Sequence, residues 1–141
     1  MKILVTGGAG FIGSHLADMF IDAGHDVVVI DNLFSGQMEN LNPKAKFYLM
    51  DIRADEVSRV FRMEKFDILC HQAAQMDVRK SVADPGYDAD VNVKGTLNLL
   101  QNCVDQGVKK VLFASTGGAI YGEQDVHPAD ENQPTHPPSP Y

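Results

Sequence analysis

The sequence has no apolar run of the 18 or more residues that a membrane-spanning helix needs. Its first segment, Met1 to Gly13, is broken by four glycines, which excludes a signal-peptide reading. No membrane partner is expected. Positive charge is also scarce: 12 Lys and Arg stand against 19 Asp and Glu, for a formal charge of -7. Such a field repels phosphate backbones, and the longest basic stretch, Lys109-Lys110, reads as a solvated strand end, so nucleic acid is not expected as a partner. Cysteine is limited to Cys70 and Cys103, both inside apolar stretches and without Cys-x-x-Cys or Cys/His ligand spacing. They read as buried thiols of a reducing compartment, which points to the cytoplasm and to no metal site.

What remains is the composition of a globular protein, 44% hydrophobic and 22% charged in 141 residues, enough for one domain with a core and too little for two. Residues 2–6 (KILVT) and 26–30 (DVVVI) have strand length. Between them Phe11, Ile12, Leu16, Met19 and Phe20 recur at helical spacing and stop at Ala23-Gly24. A third strand is expected from Lys46 to Met50 and a helix across Asp55 to Met63. Further buried strands are expected at 66–70 (FDILC) and 108–114 (VKKVLFA), with a long helix near 89–105 between them that Gly107 ends. Strands alternating with helices imply an α/β fold, a Rossmann-type doubly wound parallel sheet of about five strands in the order 3-2-1-4-5. After Ala114, glycines and then Pro128, Pro134, Pro137, Pro138 and Pro140 mark a surface segment or long loop rather than another core element.

The segment TGGAGFIGSH carries Gly7, Gly8, Gly10 and Gly13 and so satisfies both G-x-G-x-x-G from Gly8 and G-x-x-G-x-x-G from Gly7. The motif does not choose between these spacings. Glycines here let the chain turn sharply out of a strand, bring backbone N–H groups close to a pyrophosphate and pack a helix against the sheet. The motif follows a strand, opens a helix, and is followed 18 residues after Gly13 by Asp31 at the end of the next strand. That context marks a dinucleotide site. Asp31 suits the adenosine ribose hydroxyls, and its charge opposes a 2'-phosphate, so NAD is expected over NADP.

These residues, together with DNLFSG at 31–36, DIR at 51–53, HQAAQ at 71–75, DVNVKGTLNLL at 90–100, STGGAIYGE at 115–123 and PPSPY at 137–141, resemble the extended short-chain dehydrogenase/reductase family over the whole chain. Within it, the resemblance is to nucleotide-sugar epimerases of the UDP-glucose 4-epimerase type. It implies that Phe11 and Ile12 line the pyrophosphate turn with Gly7, Gly10 and Gly13. Asp31, Asn32, Ser35 and Gly36 would surround the adenosine ribose, and Asp51 and Ile52 would hold the adenine. Gln72, Ala73, Ala74 and Gln75 would run past the pyrophosphate and nicotinamide ribose, with Asn92 reaching in from the following helix. His71 reads as a packed strand-end histidine.

In the family, a tyrosine followed four residues later by lysine does the acid/base work, and Tyr141 in its SPY context matches that tyrosine. A phenol near pKa 10 is a poor base at neutral pH without such help. The matching lysine, the later strands and the substrate domain would lie beyond Tyr141, so the 141-residue chain alone is expected to bind NAD and to turn over sugar poorly or not at all. Aligned on Tyr121-Gly122, the family's Ser or Thr position falls on Gly117, leaving Ser115 and Thr116 beside it as alternatives for the proton relay. Sugar dehydratases of the family place Asp-Glu, or Glu, where this chain has Gly118-Ala119. No side chain there can move a proton, so epimerisation at C4 of a UDP-hexose is favoured over elimination. The alternatives are a non-catalytic NAD-binding module and a sugar-nucleotide dehydratase or reductase. The resemblance also implies a homodimer built from helices around and after the tyrosine.

Overall fold

Strand β1 (Lys2–Thr6) lies at the centre of the sheet because its side chains are apolar on both faces. In the computed structural model, which describes every residue except 124–126 and 129, β1 pairs in parallel with β2 (Asp26–Asp31) on one side and β4 (Ile68–His71) on the other. Strand β3 (Lys46–Leu49) joins β2 and β5 (Lys110–Phe113) joins β4, giving the order β3-β2-β1-β4-β5. The expected topology is observed.

Alternation along the strands divides the core. Ile3, Val5, Val27, Val29 and Cys70 face helix α1 (Phe11–Asp22), which buries Ala17 against them. Leu4, Val28, Ile30 and Leu69 face the other way, onto Val57, Val60 and Phe61 of α2 (Val57–Glu64) and Leu99 and Cys103 of α5 (Thr96–Gln106). A parallel sheet covered on both faces follows from right-handed crossovers. Both thiols are free and buried, and burial raises their pKa, that of Cys103 to about 11.

The segment between β4 and β5 is more broken than its apolar periodicity suggests. Two short helices, α3 (Val78–Ala83) and α4 (Pro85–Ala89), come first. Each has an aspartate cap: Asp77 accepts from the Arg79 and Lys80 N–H groups, and Asp84 from that of Tyr87. A π-helical turn over Asp90–Gly95 then leads into α5, which ends at Gly107 as expected. At Gly95 a Cβ would lie 2.7 Å from Ile52 Cδ1, so the wide turn presses directly on the segment after β3. The last helix, α6 (Gly117–Ile120), is a single turn that the glycine-rich sequence does not announce.

Register aligns the strand ends. Thr6 stands opposite Ile30 and His71, and His71 opposite Phe113, so the loops after β1, β2, β4 and β5 emerge on one edge. In an open α/β sheet, that edge beside a central strand is where ligands bind.

Candidate active site

A cleft of about 730 Å³ opens along this edge. Its floor is the turn from β1 to α1, where the glycine spacing is decided. Gly7 has φ +70° and its carbonyl accepts the Gly10 N–H at 3.1 Å. A Cβ on Gly7 would lie 2.7 Å from the Ala73 nitrogen, and a Cβ on Gly13 would collide with the Gly7 carbonyl. Gly7, Gly10 and Gly13 line the cleft, in the 7-10-13 spacing, while Gly8 packs behind it on Val29, where a Cβ would come within 2.6 Å. No side chain caps α1, so the first-turn N–H groups of Phe11, Ile12 and Gly13 face the cleft without a protein side-chain acceptor, an arrangement suited to an anion.

Asp31 ends β2 and is 7% exposed. Its two oxygens accept the Ala9 N–H at 3.0 Å and the Leu33 N–H at 2.8 Å. This fixes the carboxylate between the glycine turn and the next loop while leaving each oxygen a further lone pair. Asp51 is in a different state. Arg53 grips both of its oxygens, Nε to Oδ1 and Nη2 to Oδ2 at 2.9 Å, and Asn32 Nδ2 donates to Oδ2 at 2.9 Å. The adjacent guanidinium holds its carboxyl down to about pKa 2.

The fourth strand ends in a polar chain. His71 is 4% exposed, and burial lowers its pKa to about 4, so its ring is neutral at physiological pH. Thr96 donates to the Asn92 carbonyl at 2.7 Å, which leaves its oxygen to accept from His71 Nε2 at 2.9 Å. His71 Nδ1 then accepts from the Thr6 hydroxyl at 2.6 Å, and Thr6 accepts the Ala73 N–H at 3.4 Å. This assignment of the tautomer follows from the donors available. The histidine is packed, as expected, and its chain ties the loop after β4 to the central strand.

Gly7, Gly10, Phe11, Ile12, Gly13, Asp31, Asn32, Ser35, Asp51, Ile52, Gln72, Ala73, Ala74, Gln75 and Asn92 all line this one cleft, as do Ser115, Thr116 and Tyr141. Gly36 does not. Its Cβ position lies 2.8 Å from Ala9 Cβ, so it supports the glycine turn from behind rather than lining the cleft. Ile52 has a double position, 5% exposed, packing into the core while its backbone edge borders the cleft. Ser115 and Thr116 follow β5, and Thr116 precedes the single turn of α6. Tyr141 is brought to them by its own N–H, which donates to the buried Ser81 hydroxyl on α3 at 2.8 Å. A Cβ at Gly117 would meet only Tyr121 Cδ2, at 4.0 Å.

The sequence matches the NAD dependent epimerase/dehydratase family over residues 3–141. The chain belongs to that family. Among its relatives is the UDP-glucose 4-epimerase of Mycolicibacterium smegmatis, 42% identical over 146 residues that take in all of this chain and 47% of the relative. Among solved structures, the UDP-glucose 4-epimerase of Thermus thermophilus in complex with NAD superposes with a TM-score of 0.94 at 49% identity, covering 100% of this chain and 46% of that one. The UDP-glucose 4-epimerase of Thermotoga maritima with UDP-glucose gives 0.95 at 50% identity, again over 100% and 46%. The chain thus spans about half the length of the relatives it matches.

Lining residues of this family member that the sequence does not single out include Phe34 and Val91, inside the family motifs, and Met50, Met76 and Tyr87, outside them. The ammonium of Lys80 sits over the Phe34 ring at 4.6 Å and the Tyr87 ring at 4.1 Å, joining the loop after β2 to α3 and α4. Among the described residues no cluster of metal-ligating side chains occurs, and no helix is long and apolar enough to cross a membrane.

Proposed function

We propose that this chain is the NAD-binding part of a nucleotide-sugar 4-epimerase acting on a UDP-hexose of the UDP-glucose/UDP-galactose type. The observation that carries the reading is the single cleft that joins a dinucleotide cradle to Tyr141, Ser115 and Thr116, beside a segment with no acid at Gly118-Ala119. Residues 1–141 are read as one Rossmann domain with the active-site segment at 115–141.

The cradle fits the cofactor by its own geometry. Side chains are excluded at Gly7 and Gly13, an uncapped helix N-terminus faces the cleft, and a buried carboxylate at Asp31 retains lone pairs for ribose hydroxyls. Bound there, NAD would take up a hydride from C4 of the sugar and give it back. Gly7, Gly10, Phe11, Ile12 and Gly13 would hold the pyrophosphate. Asp31, Asn32 and Ser35 would hold the ribose, and Asp51 and Ile52 the adenine edge. Gln72 to Gln75, backed by Asn92, would form the wall toward the reacting end. Tyr141 would move the proton at the sugar hydroxyl, and Thr116 or Ser115 would hydrogen-bond to the same hydroxyl and relay that proton. A Gly-Ala pair can neither donate nor accept a proton where a dehydratase must do both, and this supports epimerisation over loss of water.

Val93 in the π turn and Leu97 and Val104 on α5, each more than half exposed, support a homodimer face along this side of the chain. Two buried free thiols support a reducing location, the cytoplasm. The test is to incubate the full-length protein that carries this sequence with UDP-glucose and resolve the products. Interconversion with UDP-galactose without net formation of NADH is expected. A 4-keto-6-deoxy product would assign a dehydratase, net NADH a dehydrogenase, and tightly bound NAD without turnover a binding module.

A further inference from the structure

Behind the wall formed by Gln72 to Gln75 lies a carboxyl group that the chemistry above does not use. Asp88, on α4, is 2% exposed. Its Oδ1 accepts from Gln75 Nε2 at 3.1 Å and from Asn92 Nδ2 at 3.2 Å. These two amides are the ones that fix the loop after β4. Asn92 brackets the Gln75 backbone, accepting its N–H at 2.8 Å and donating to its carbonyl at 2.9 Å. The Gln75 side chain turns on Asp77 in the same way, donating to its carbonyl at 3.0 Å and accepting its N–H at 2.9 Å.

Each amide has two orientations, and the acceptor at Asp88 selects one of them. An NH2 group must face Asp88 from both sides, which points both amide oxygens at the backbone N–H groups of Gln75 and Asp77. Flipping either amide would set oxygen against oxygen at the buried Asp88 and against the backbone carbonyl, and nitrogen against N–H. The loop so held has no slack at its other end. Ala73 rests on the Gly7 turn, where even a Cβ would come within 2.7 Å of its nitrogen, and its N–H is taken by Thr6.

We propose that Asp88 is a positioning residue for the dinucleotide: through Gln75 and Asn92 it sets the wall of the cleft against the glycine turn. It touches neither cofactor nor sugar. The inference rests on the reading that the cleft takes NAD.

The experiment measures NADH affinity by its fluorescence on the full-length protein stripped of cofactor, well below the melting transition of each variant. UDP affinity is measured in parallel by calorimetry. Asp88→Ala is expected to weaken NADH about tenfold, because sub-ångström shifts of a supporting shell are felt at a site. Asp88→Asn should stay within about threefold of the parent, since its amide oxygen accepts the same two bonds. UDP affinity should be unchanged in both, which a general loss of structure would not allow. Gln75→Met removes the loop-side partner of Asp88 while leaving the α4 sequence intact and is expected to reproduce the tenfold loss, so the test survives if Asp88→Ala does not fold. Parent-like affinity in Asp88→Ala or Gln75→Met, failure of Asp88→Asn to rescue, or a parallel fall in UDP affinity would overturn the proposal. A parent protein that binds no NADH would instead overturn the reading beneath it.

Discussion

At the N-terminal ends of the strands, Glu64 receives the side chains of Lys2, Lys46 and Tyr48, whereas at the C-terminal ends Asp31 receives only the backbone N–H groups of Ala9 and Leu33. Glu64 is 8% exposed and Asp31 7%. Glu64 is neutralised by two cations, accepts a phenol as well, and joins β1 and β3 to the end of α2, outside the residues that line the cleft. Asp31 is fixed just as firmly, but by groups that cannot neutralise it, and it keeps acceptor capacity toward an open cleft. The same residue chemistry is structural at one end of the sheet and available at the other, and the difference lies in the partners rather than in burial.

That contrast is open to attack by mutation. Gly7→Ala should have the largest effect, since it strains a left-handed backbone and drives a methyl group into Ala73. Loss of about a hundredfold or more in NADH affinity is expected, together with a fall in melting temperature. Asp31→Ala leaves two N–H groups without their acceptor, at about 1–3 kcal/mol of stability, and removes the ribose acceptor. Its NADH affinity should fall about a hundredfold as well. Glu64→Ala should lose a similar amount, roughly 1–3 kcal/mol, in chemical denaturation with NADH affinity kept.

The acid limb of stability belongs to the same comparison. Lys2, Lys46 and Tyr48 hold the Glu64 carboxyl at about 2, below its ordinary 4.5. The folded state therefore resists the proton that the unfolded chain accepts, so the contribution of Glu64 is complete above about pH 4.5 and is lost as pH falls toward 2. Glu64→Gln should flatten that part of a stability-against-pH curve, and an unchanged slope would rule out this role for Glu64. The smallest effect is expected at Lys65, a non-glycine with φ 54° just after α2. Lys65→Gly should add about 0.5–1 kcal/mol and leave cofactor binding alone.

The two ends were not equally legible in the sequence. Gly7, Gly10, Gly13 and Asp31 could be read because a tight turn, an uncapped helix and a strand end fall at fixed spacings within one βαβ unit, and the strand order followed from alternation with helices. The glycine motif alone left two spacings open, and the cleft is lined by Gly7, Gly10 and Gly13 but not by Gly8, which packs on Val29. Gly36 packs behind the turn against Ala9, while Ser35 beside it lines the cleft. The Glu64 hub gave no signal because its partners lie 62, 18 and 16 residues away and meet only through the sheet. The long helix expected near 89–105 is present as a π turn running into α5, whereas the two short helices before it are not foreseen from the sequence, because Asp77, Asp84 and Pro85 cap and restart the chain locally. The π turn carries Asn92 toward the wall of the cleft.

The most direct measurement places Asp31→Ala and Glu64→Ala side by side in the full-length protein, with NADH affinity and unfolding free energy determined for each. The two variants are expected to part on affinity, lost about a hundredfold at Asp31 and intact at Glu64, at a similar cost in stability. Matching profiles for the two variants would contradict the division of labour between the two carboxylates.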